Sequence, residues 1–367
     1  MRRLLLLAAF GLFACTTGGT ELASGPPAPS AEAEDPISAS IELPEDIASI
    51  SGPGVAIDGG GAVHLIWADS AGNDVVVRHA LATDASVGDP EVISDPFDLF
   101  LGDPTALTSP TGEVCAFVDA FVDEADPSTE GFYMRCQSGP AWSEPESIAA
   151  EGLTTRFDPA FDAEGIPRAA GTTPVTSVTY EGQELSEDDD TAGQVQLEID
   201  AEGRYHVVWY EIGDPFELNH RVSEDDGATW SETEAIEGTE FFVPDPTLAA
   251  ASDGSLHLFY ETAVLFHRVW TEVGGWGALE TGPDCGGDHA FALAADDVPV
   301  AACANLGGVH LTAAEDGTWS ELRTIEGSTD VPAGPVALAV GPDGTRHVLW
   351  VEATDPPSLR YAAVPVS

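Results

Sequence analysis

Four aspartates that begin predicted strands are the residues of this 367-residue chain best placed to do chemistry. Asp103, Asp158 and Asp245 are each followed by proline, and Asp288 is followed by His289. Carboxylates brought together by a fold raise one another's pKa values, or bind a hard cation such as Ca²⁺. The alternative is that each aspartate caps the turn before its strand while proline stiffens that turn.

Seven of the nine histidines occupy two recurring sequence positions, the first after a glycine-containing turn and the second on the following predicted strand. Positions that recur in this way indicate packing within a repeated structure, so the sequence assigns no metal ligand. Only His289 and His310 lie outside the two sets. The sets are His64, His206, His257 and His347, and then His79, His220 and His267.

Four cysteines besides Cys15 fit an oxidising compartment. Cys115 and Cys136 lie on neighbouring predicted strands of one hairpin. Cys285 precedes the first predicted strand of another hairpin, and Cys303 ends its second strand. The sequence predicts the disulfides Cys115–Cys136 and Cys285–Cys303. No Cys-x-x-Cys pair occurs, so a zinc site made from these thiols is not expected.

The elements that would position these residues form a repeat. A β-turn followed by an apolar strand recurs at Gly61, Gly112, Gly165, Gly203, Gly254, Asp297 and Gly344. Separations of roughly 40 to 50 residues are typical of four-stranded propeller blades. We therefore predict an all-β protein, a β-propeller of seven four-stranded blades. The third repeat, residues 156–193, lacks the outer-strand tryptophan and leaves six blades with a long insertion as the alternative.

The two ends of the folded region predict how the ring closes. The last repeat stops after its third strand, and residues 41–47 near the start resemble a fourth strand. An N-terminal strand that completed the last blade would remove two exposed sheet edges at once.

An eight-residue pattern, Ser223-x-Asp225-x-Gly227-x-x-Trp230, suits a tight hairpin turn in which short polar side chains bond to the turn's own backbone. A weaker copy ends at Trp319. The pattern resembles the Asp-box of the BNR/sialidase-like propeller family, where it joins the third and fourth strands of a blade. We interpret these four residues as structural. The resemblance implies that first strands line the axis, so the four strand-starting aspartates would ring one mouth of the channel.

The catalytic pattern of that family is absent from the sequence. The family implies an arginine triad, an early Arg-Ile-Pro motif, a tyrosine nucleophile polarised by glutamate, and an aspartate acid/base. No Arg-Ile-Pro string occurs, and five arginines recur on predicted third strands. No catalytic residue is therefore assigned, and the resemblance carries the scaffold only.

The N-terminal region predicts export. Residues 1–14 have a basic start and a short apolar run, and they end at Leu12-Phe13-Ala14 before Cys15, which resembles a bacterial lipobox. We predict a lipoprotein signal peptide over 1–14 with lipid on Cys15, a disordered tether over 15–37, and the propeller over 38–367. The expected location is the bacterial outer membrane, on its periplasmic or cell-surface side, with membrane contact through the lipid alone. An ordinary secretory signal is the alternative.

The charge excludes one class of partner. Sixty-four acidic residues face 12 basic residues, all arginine, for a formal net charge of −52. Such a field repels nucleic acid. Nothing in the sequence fixes an oligomeric state.

Two functions remain open at this stage. The first is a lipid-anchored binding module for a glycan, peptide or protein, which needs no cofactor other than the Ca²⁺ named above. The second is a glycan-active hydrolase or lyase that uses channel-mouth carboxylates such as Asp158 and Asp245. The missing catalytic set favours binding.

Overall fold

A computed structural model describes residues 37–43, 47–71, 74–83, 86–94, 99–100, 102–121, 130–149, 156–173, 177–186, 192–211, 217–236, 246–261, 264–315, 317–329 and 332–366. In these residues every regular element is a β-strand, and the strands form seven antiparallel sheets. Each sheet is one blade of a seven-bladed β-propeller, so the predicted fold is confirmed. No helix in the described part of the chain is long and apolar enough to cross a membrane.

Each blade has its first strand next to the axis. The inner strands of blades 1 to 7 are Ser49–Ile57, Thr105–Thr108, Arg156–Phe161, Ala192–Ile199, Thr247–Ala250, Asp288–Leu293 and Ala333–Val340. The second strands are Val63–Ala71, Val114–Phe121, Pro167–Thr172, Tyr205–Glu211, Leu256–Glu261, Pro299–Asn305 and Arg346–Glu352. The third strands are Asp74–Thr83, Glu130–Ser138, Val178–Tyr180, Glu217–Ser223, Leu265–Thr271, Gly308–Glu315 and Ser358–Val364.

The outer strands are short, and in four blades they are split into two segments. In blades 1 to 7 they are Ser86–Val87 with Glu91–Val92, Ala141–Trp142 with Glu146–Ala149, Gln183–Glu184, Glu234–Ile236, Gly275–Trp276 with Glu280–Thr281, Thr318–Trp319 with Arg323–Thr324, and Ile37–Ile41. A further segment, Leu99–Phe100, pairs with the second strand of blade 2. Blade 3 is complete with an outer strand of only two residues, which excludes the six-bladed alternative.

The ring closes through the N-terminal strand, as predicted. Ile37–Ile41 pairs antiparallel with Ser358–Val364, so that Ile41 lies opposite Leu359. The sequence pattern placed this strand at 41–47, whereas in the structure it covers Ile37–Ile41, so the two share only Ile41. The difference arises because the apolar pattern of 41–47 matches an outer strand, whereas the pairing register with the last blade selects the preceding residues.

Buried apolar side chains form a separate cluster at each of the seven junctions between neighbouring blades. The second strands supply the largest of them: Trp67, Trp209 and Trp350 are at most 1% exposed. Each second strand packs against the blade on either side, which explains why the sequence is apolar on both of its faces.

Candidate functional site

The hairpins between inner and second strands set a common register for the seven blades. In each hairpin, the backbone N–H of the first turn residue donates to the carbonyl oxygen of the residue four positions later. The carbonyl oxygen of that first residue accepts a hydrogen bond from the backbone N–H of the residue three positions later. Ser109, Asp162 and Ala294 are three of these first residues. Asp103 and Asp288 lie six residues before the turn, whereas Asp158 lies only four before it.

The sequence alignment of the strand-starting aspartates was therefore wrong at Asp158, which lies inside its strand and two residues nearer the turn. Proline misled the alignment. Pro159 occupies a position whose nitrogen faces the unpaired edge of the inner strand, where no ladder hydrogen bond is lost. A proline there is tolerated in mid-strand and does not mark the strand's start.

The structure describes two of the other three predicted aspartates. Asp103 and Asp288 are exposed. Asp245 lies outside the described residues. In the ranges that the structure describes, no group of three or more His, Cys, Asp or Glu side chains is arranged to hold a metal ion. A four-aspartate ring and a Ca²⁺ site stay predictions.

Asp158 instead reaches the neighbouring blade. Its Oδ2 accepts a hydrogen bond of 2.7 Å from the backbone N–H of Leu197, on the inner strand of blade 4. Burial raises the pKa of Asp158 to about 7, although this hydrogen bond opposes the rise. Close to neutral pH, the carboxyl group is therefore divided between its protonated and ionised forms.

A second carboxyl group, Glu198, lies on the next inner strand and was missed by sequence reasoning. It accepts a hydrogen bond from the backbone N–H of Ala250, one blade further around the ring. Burial, and then the negative charge of Asp158, raise the pKa of Glu198 to about 8.

The turn register would have revealed Glu198. Two residues before the turn, the blades place a small or apolar residue that packs toward the next blade, and blade 4 alone places an acid there. The residues at this position are Ala56, Leu107, Ala160, Glu198, Ala249, Ala292 and Ala339. The substitution introduces a titratable group where the other blades have none.

Asp158 and Glu198 together form the candidate site, which we call the axial acid pair. Near neutral pH a protonated carboxyl group can donate a hydrogen bond that an ionised one cannot. The pair can therefore hydrogen-bond to hydroxyl groups, and one member can act as a general acid while the other is ionised.

A carboxylate–imidazole pair lies at the junction of blades 5 and 6. His289 Nδ1 is 3.1 Å from Glu261 Oε2, and the backbone N–H of Gly286 donates to Glu261 Oε1 at 3.0 Å. This contact accounts for one of the two histidines outside the repeat. The other, His310, bonds to Thr324 Oγ1 at 2.9 Å.

The recurring histidines pair within their blades. The distances between Nδ1 of the first and Nε2 of the second are 3.0 Å for His64 and His79, 3.1 Å for His206 and His220, and 3.0 Å for His257 and His267. In blade 7, His347 bonds instead to Tyr361 at 2.7 Å.

Several arginines are engaged within the blades. Arg78 pairs with Asp69, Arg168 with Asp162, Arg204 with Asp200, and Arg360 with Glu352, and Arg135 donates to backbone carbonyls. Each of these guanidinium groups has a partner in its own blade, Arg204 and Arg135 also bond to a neighbouring blade, and the five groups are spread over five blades. They therefore do not converge on one point as an arginine triad would.

The turn at Ser223 uses its polar groups locally. Ser223 Oγ accepts from the backbone N–H of Gly227 at 2.9 Å, and Asp225 Oδ1 accepts from that of Thr229 at 2.7 Å. Trp230 Nε1 donates to the Gly227 carbonyl at 3.1 Å. This turn joins the third and fourth strands of blade 4 and uses the polar groups of Ser223, Asp225 and Trp230 within itself.

Both predicted disulfides are present, and those predictions are confirmed. Cys115 bonds to Cys136 across the second and third strands of blade 2, and Cys285 bonds to Cys303 in blade 6.

Solved structures show the same fold at low sequence identity. A protein of unknown function from Dyadobacter fermentans is 14% identical, with 90% of this chain and 98% of that chain covered and a TM-score of 0.54. A GH93 α-L-arabinofuranosidase of Fusarium graminearum, in complex with arabinobiose, is 12% identical over 91% of this chain and 98% of that chain, with a TM-score of 0.53.

A Trypanosoma rangeli sialidase in complex with the inhibitor DANA is 12% identical over 86% of this chain, which spans 55% of that structure, with a TM-score of 0.49. The likeness to the first two structures shows the β-propeller fold. No protein-family model and no curated protein matches the sequence.

Proposed function

We propose that this protein is an exported propeller, anchored by lipid at Cys15, that binds a glycan at the axis of its ring. The axial acid pair carries the proposal. Asp158 and Glu198 place two carboxyl groups with pKa values of about 7 and 8 on neighbouring inner strands. Carboxyl groups that can both donate and accept hydrogen bonds suit the hydroxyl groups of a sugar.

Two further observations support a glycan ligand. The Fusarium graminearum propeller with this fold holds arabinobiose. The described arginines with hydrogen-bonded partners are held by contacts within and between blades, so a sialidase-type recognition of a sugar carboxylate has no support here. A neutral glycan is therefore the proposed ligand class.

A glycan array probed with the detergent-solubilised full chain tests this proposal. We expect binding to neutral oligosaccharides, weakened about tenfold or more in Asp158→Asn and Glu198→Gln, because each loses a charge-dependent hydrogen bond. Thr345→Arg, on a distant hairpin, should bind as the wild type does. A wild-type protein that binds no glycan, or variants with unchanged affinity, would contradict the proposal.

A glycoside hydrolase is the second candidate, and the raised pKa values favour it. A glycosidase needs one carboxyl group that stays protonated near neutral pH as general acid and a second that is ionised. Release of reducing sugar from the glycans that bind decides between the two. Turnover that is lost in both Asp158→Asn and Glu198→Gln would establish catalysis, and binding without turnover would exclude it.

The lipid anchor has its own test. Cys15→Ser should move the protein from the membrane fraction to the soluble exported fraction, because the thiol is the acylation site. Persistence of Cys15→Ser in the outer-membrane fraction would refute the anchor and leave an ordinary secretory signal.

A further inference from the structure

Two blades share the same aspartate-capped turn and differ, among other positions, at its last residue. In blade 4 the turn begins at Asp200, whose Oδ1 accepts the backbone N–H groups of Glu202 at 3.0 Å and Arg204 at 2.9 Å. In blade 1 the turn begins at Asp58, whose Oδ1 accepts those of Gly60 at 2.9 Å and Ala62 at 2.7 Å. Ala62 thus occupies the position of Arg204.

The guanidinium group of Arg204 fills a site between blades 4 and 5. Its Nε donates to Asp200 Oδ2 at 2.6 Å, and its two terminal nitrogens donate at 2.9 Å to Glu202 and to Glu272 of the next blade. The group also lies over the ring of Trp270, at 5.2 Å from the ring centroid. Arg204 is 8% exposed, so the site is a nearly closed guanidinium cage.

The corresponding place between blades 1 and 2 is an open cleft of about 410 Å³. Asp58 and Ala62 form one wall of the cleft. Gln137 of blade 2 occupies the strand position that Trp270 has in blade 5, because Gln137 pairs with Trp142 and Trp270 pairs with Trp276. Ala62 thus leaves Asp58 without the cation that Asp200 has, while the positions of Glu202 and Glu272 are taken by Gly60 and Gly139.

The protonation of the blade 1 histidines makes this wall more receptive to a cation. Glu91 can only accept when ionised, so the 2.8 Å contact requires a proton on His79 Nδ1. Burial lowers the pKa of both His64 and His79, which are therefore neutral. His79 Nε2 then accepts from His64 Nδ1–H, and His64 Nε2 presents a lone pair.

That lone pair has no partner. His64 is 3% exposed and lines the cleft, and its Nε2 makes no hydrogen bond to any described residue. The nearest carboxylate oxygen, Asp58 Oδ2, is 3.6 Å away, which is too long for a hydrogen bond. Asp58 Oδ2 and His64 Nε2 are thus two neighbouring hydrogen-bond acceptors, and no described residue supplies a donor between them.

Blade 4 shows the arrangement that satisfies both acceptors. There Trp276 Nε1 donates to His220 Nδ1 at 3.2 Å, so the proton of His220 is on Nε2 and is donated to His206. His206 Nε2 then carries a proton and donates to Asp200 Oδ2 at 3.0 Å. At blade 1 the corresponding tryptophan, Trp142 of blade 2, donates to Glu91 instead, and the proton order of the histidine pair is reversed.

We propose that the cleft between blades 1 and 2 is a binding site for a guanidinium cation supplied in trans, in the position that Arg204 fills in cis between blades 4 and 5. The ligand donates to Asp58 Oδ2 and to His64 Nε2. A cleft of this size accepts a molecule larger than guanidinium itself, and Leu81, 43% exposed, offers apolar contact to an aliphatic stem.

The charge of the cleft fits this ligand. Asp89 and Glu91 add two carboxylates to its lining. The pKa of Asp58 lies below its ordinary value: burial raises it, but hydrogen bonds from the backbone N–H groups of Ala62 and Gly60 lower it. Asp58 is therefore ionised at neutral pH, where a guanidinium ligand is charged.

Isothermal titration calorimetry of the full chain with agmatine tests the site. We expect one site per chain, and loss of affinity by at least tenfold in Ala62→Arg, because the new side chain places its own guanidinium in the cleft. Thr345→Arg is the matched control, since it adds the same charge at the same turn position of blade 7. Asp58→Asn should also weaken binding at least tenfold.

Titration with the peptide acetyl-Gly-Arg-Gly-amide identifies the source of the cation. Tighter binding of agmatine than of the peptide supports a free small molecule, and tighter binding of the peptide supports an arginine side chain of a partner protein. Absence of agmatine and peptide binding to the wild type overturns the proposal. Equal weakening by Ala62→Arg and Thr345→Arg also overturns it, because binding would then follow the net charge of −52 rather than the cleft.

Discussion

The junction between blades 4 and 5 and the junction between blades 1 and 2 have the same hairpin turn and the same histidine pair, yet one is filled and the other open. Arg204 closes the first, and Ala62 leaves the second with Asp58 and His64 facing a cleft. A repeated position is structural where its partner is present in the chain. Where the partner side chain is absent, as at Ala62, the same turn position becomes a site that can bind a guanidinium group from a ligand.

A second contrast lies along one strand of blade 4. Asp200 has its pKa lowered to about 2, since hydrogen bonds from His206 and Arg204 outweigh the effect of burial. Glu198, two residues away, has its pKa raised to about 8 by burial and by Asp158. Asp200 meets the guanidinium group of Arg204 and the imidazole of His206, whereas Glu198 meets one backbone N–H and the like charge of Asp158, so burial dominates at Glu198 alone.

Removal of Arg204 should have the largest effect. Arg204→Ala leaves the carboxylate of Asp200 buried without its cation, and we expect a loss of about 3 to 5 kcal/mol in the free energy of unfolding. Urea denaturation measures this loss. Millimolar agmatine should restore part of the lost free energy of unfolding. The variant has alanine at this turn position, as blade 1 has at Ala62, and therefore leaves room for a guanidinium ligand.

Arg323→Ala, an exposed arginine of blade 6, is the control and should change stability by less than about 0.5 kcal/mol. If Arg204→Ala unfolds at the same urea concentration as Arg323→Ala, the guanidinium cage contributes nothing and the comparison of the two junctions fails.

The pH dependence of stability should have opposite signs for the two acids of blade 4. A carboxyl group with a raised folded pKa stabilises the fold below its unfolded pKa and loses that contribution as pH rises, so Glu198→Gln should be more stable than the wild type at pH 9. We expect a difference of roughly 2 to 3 kcal/mol, reduced from the full linkage value by partial exposure. The difference should vanish near pH 4.

Asp200 has a lowered pKa, so its contribution is present above pH 4 and is lost as pH falls toward 2. Asp200→Asn should therefore destabilise at pH 7 and approach the wild type in acid. Thermal unfolding across pH 2 to 9 measures both variants, and curves that shift in the same direction would contradict the assignment of the two environments.

The smallest effect concerns the proton order of the histidine pairs. Trp276→Phe removes the donor to His220 Nδ1, so we expect His220 to bond to Glu234 and the pair with His206 to adopt the order of blade 1. The cost should be about 1 kcal/mol. Ring ¹⁵N chemical shifts of selectively labelled histidine report the change, and unchanged shifts for His206 would show that Asp200 alone sets the tautomer.

The repeat in the sequence was sufficient to predict the fold. Glycine turns at blade-like intervals, apolar strands on both faces and the unfinished last repeat predicted seven blades closed by an N-terminal strand, because each of these features is local to one repeat. The two disulfides were predictable for the same reason, since Cys115 and Cys136 belong to one hairpin.

The candidate site was predicted only in part. Asp158 was chosen for its proline neighbour and was aligned two residues out of register, and Glu198 was missed because a single acid in an apolar strand carries no pattern of its own. Both errors have one cause. The register of an inner strand is set by its turn hydrogen bonds, and the proline beside Asp158 is a weaker marker than the turn.

The sequence by itself determined the repeat, its turns, and the fact that Ala62 stands where blade 4 has Arg204, whereas the short outer strand of blade 3 decided between seven blades and six. Only the tertiary structure decided that the space beside Ala62 stays open and that His64 presents a lone pair to it. Both depend on Gln137 and Trp142, which belong to the neighbouring blade and pack against blade 1 only after the ring has formed. Contacts between repeats are set by packing across the junction, and no periodicity within a repeat encodes them.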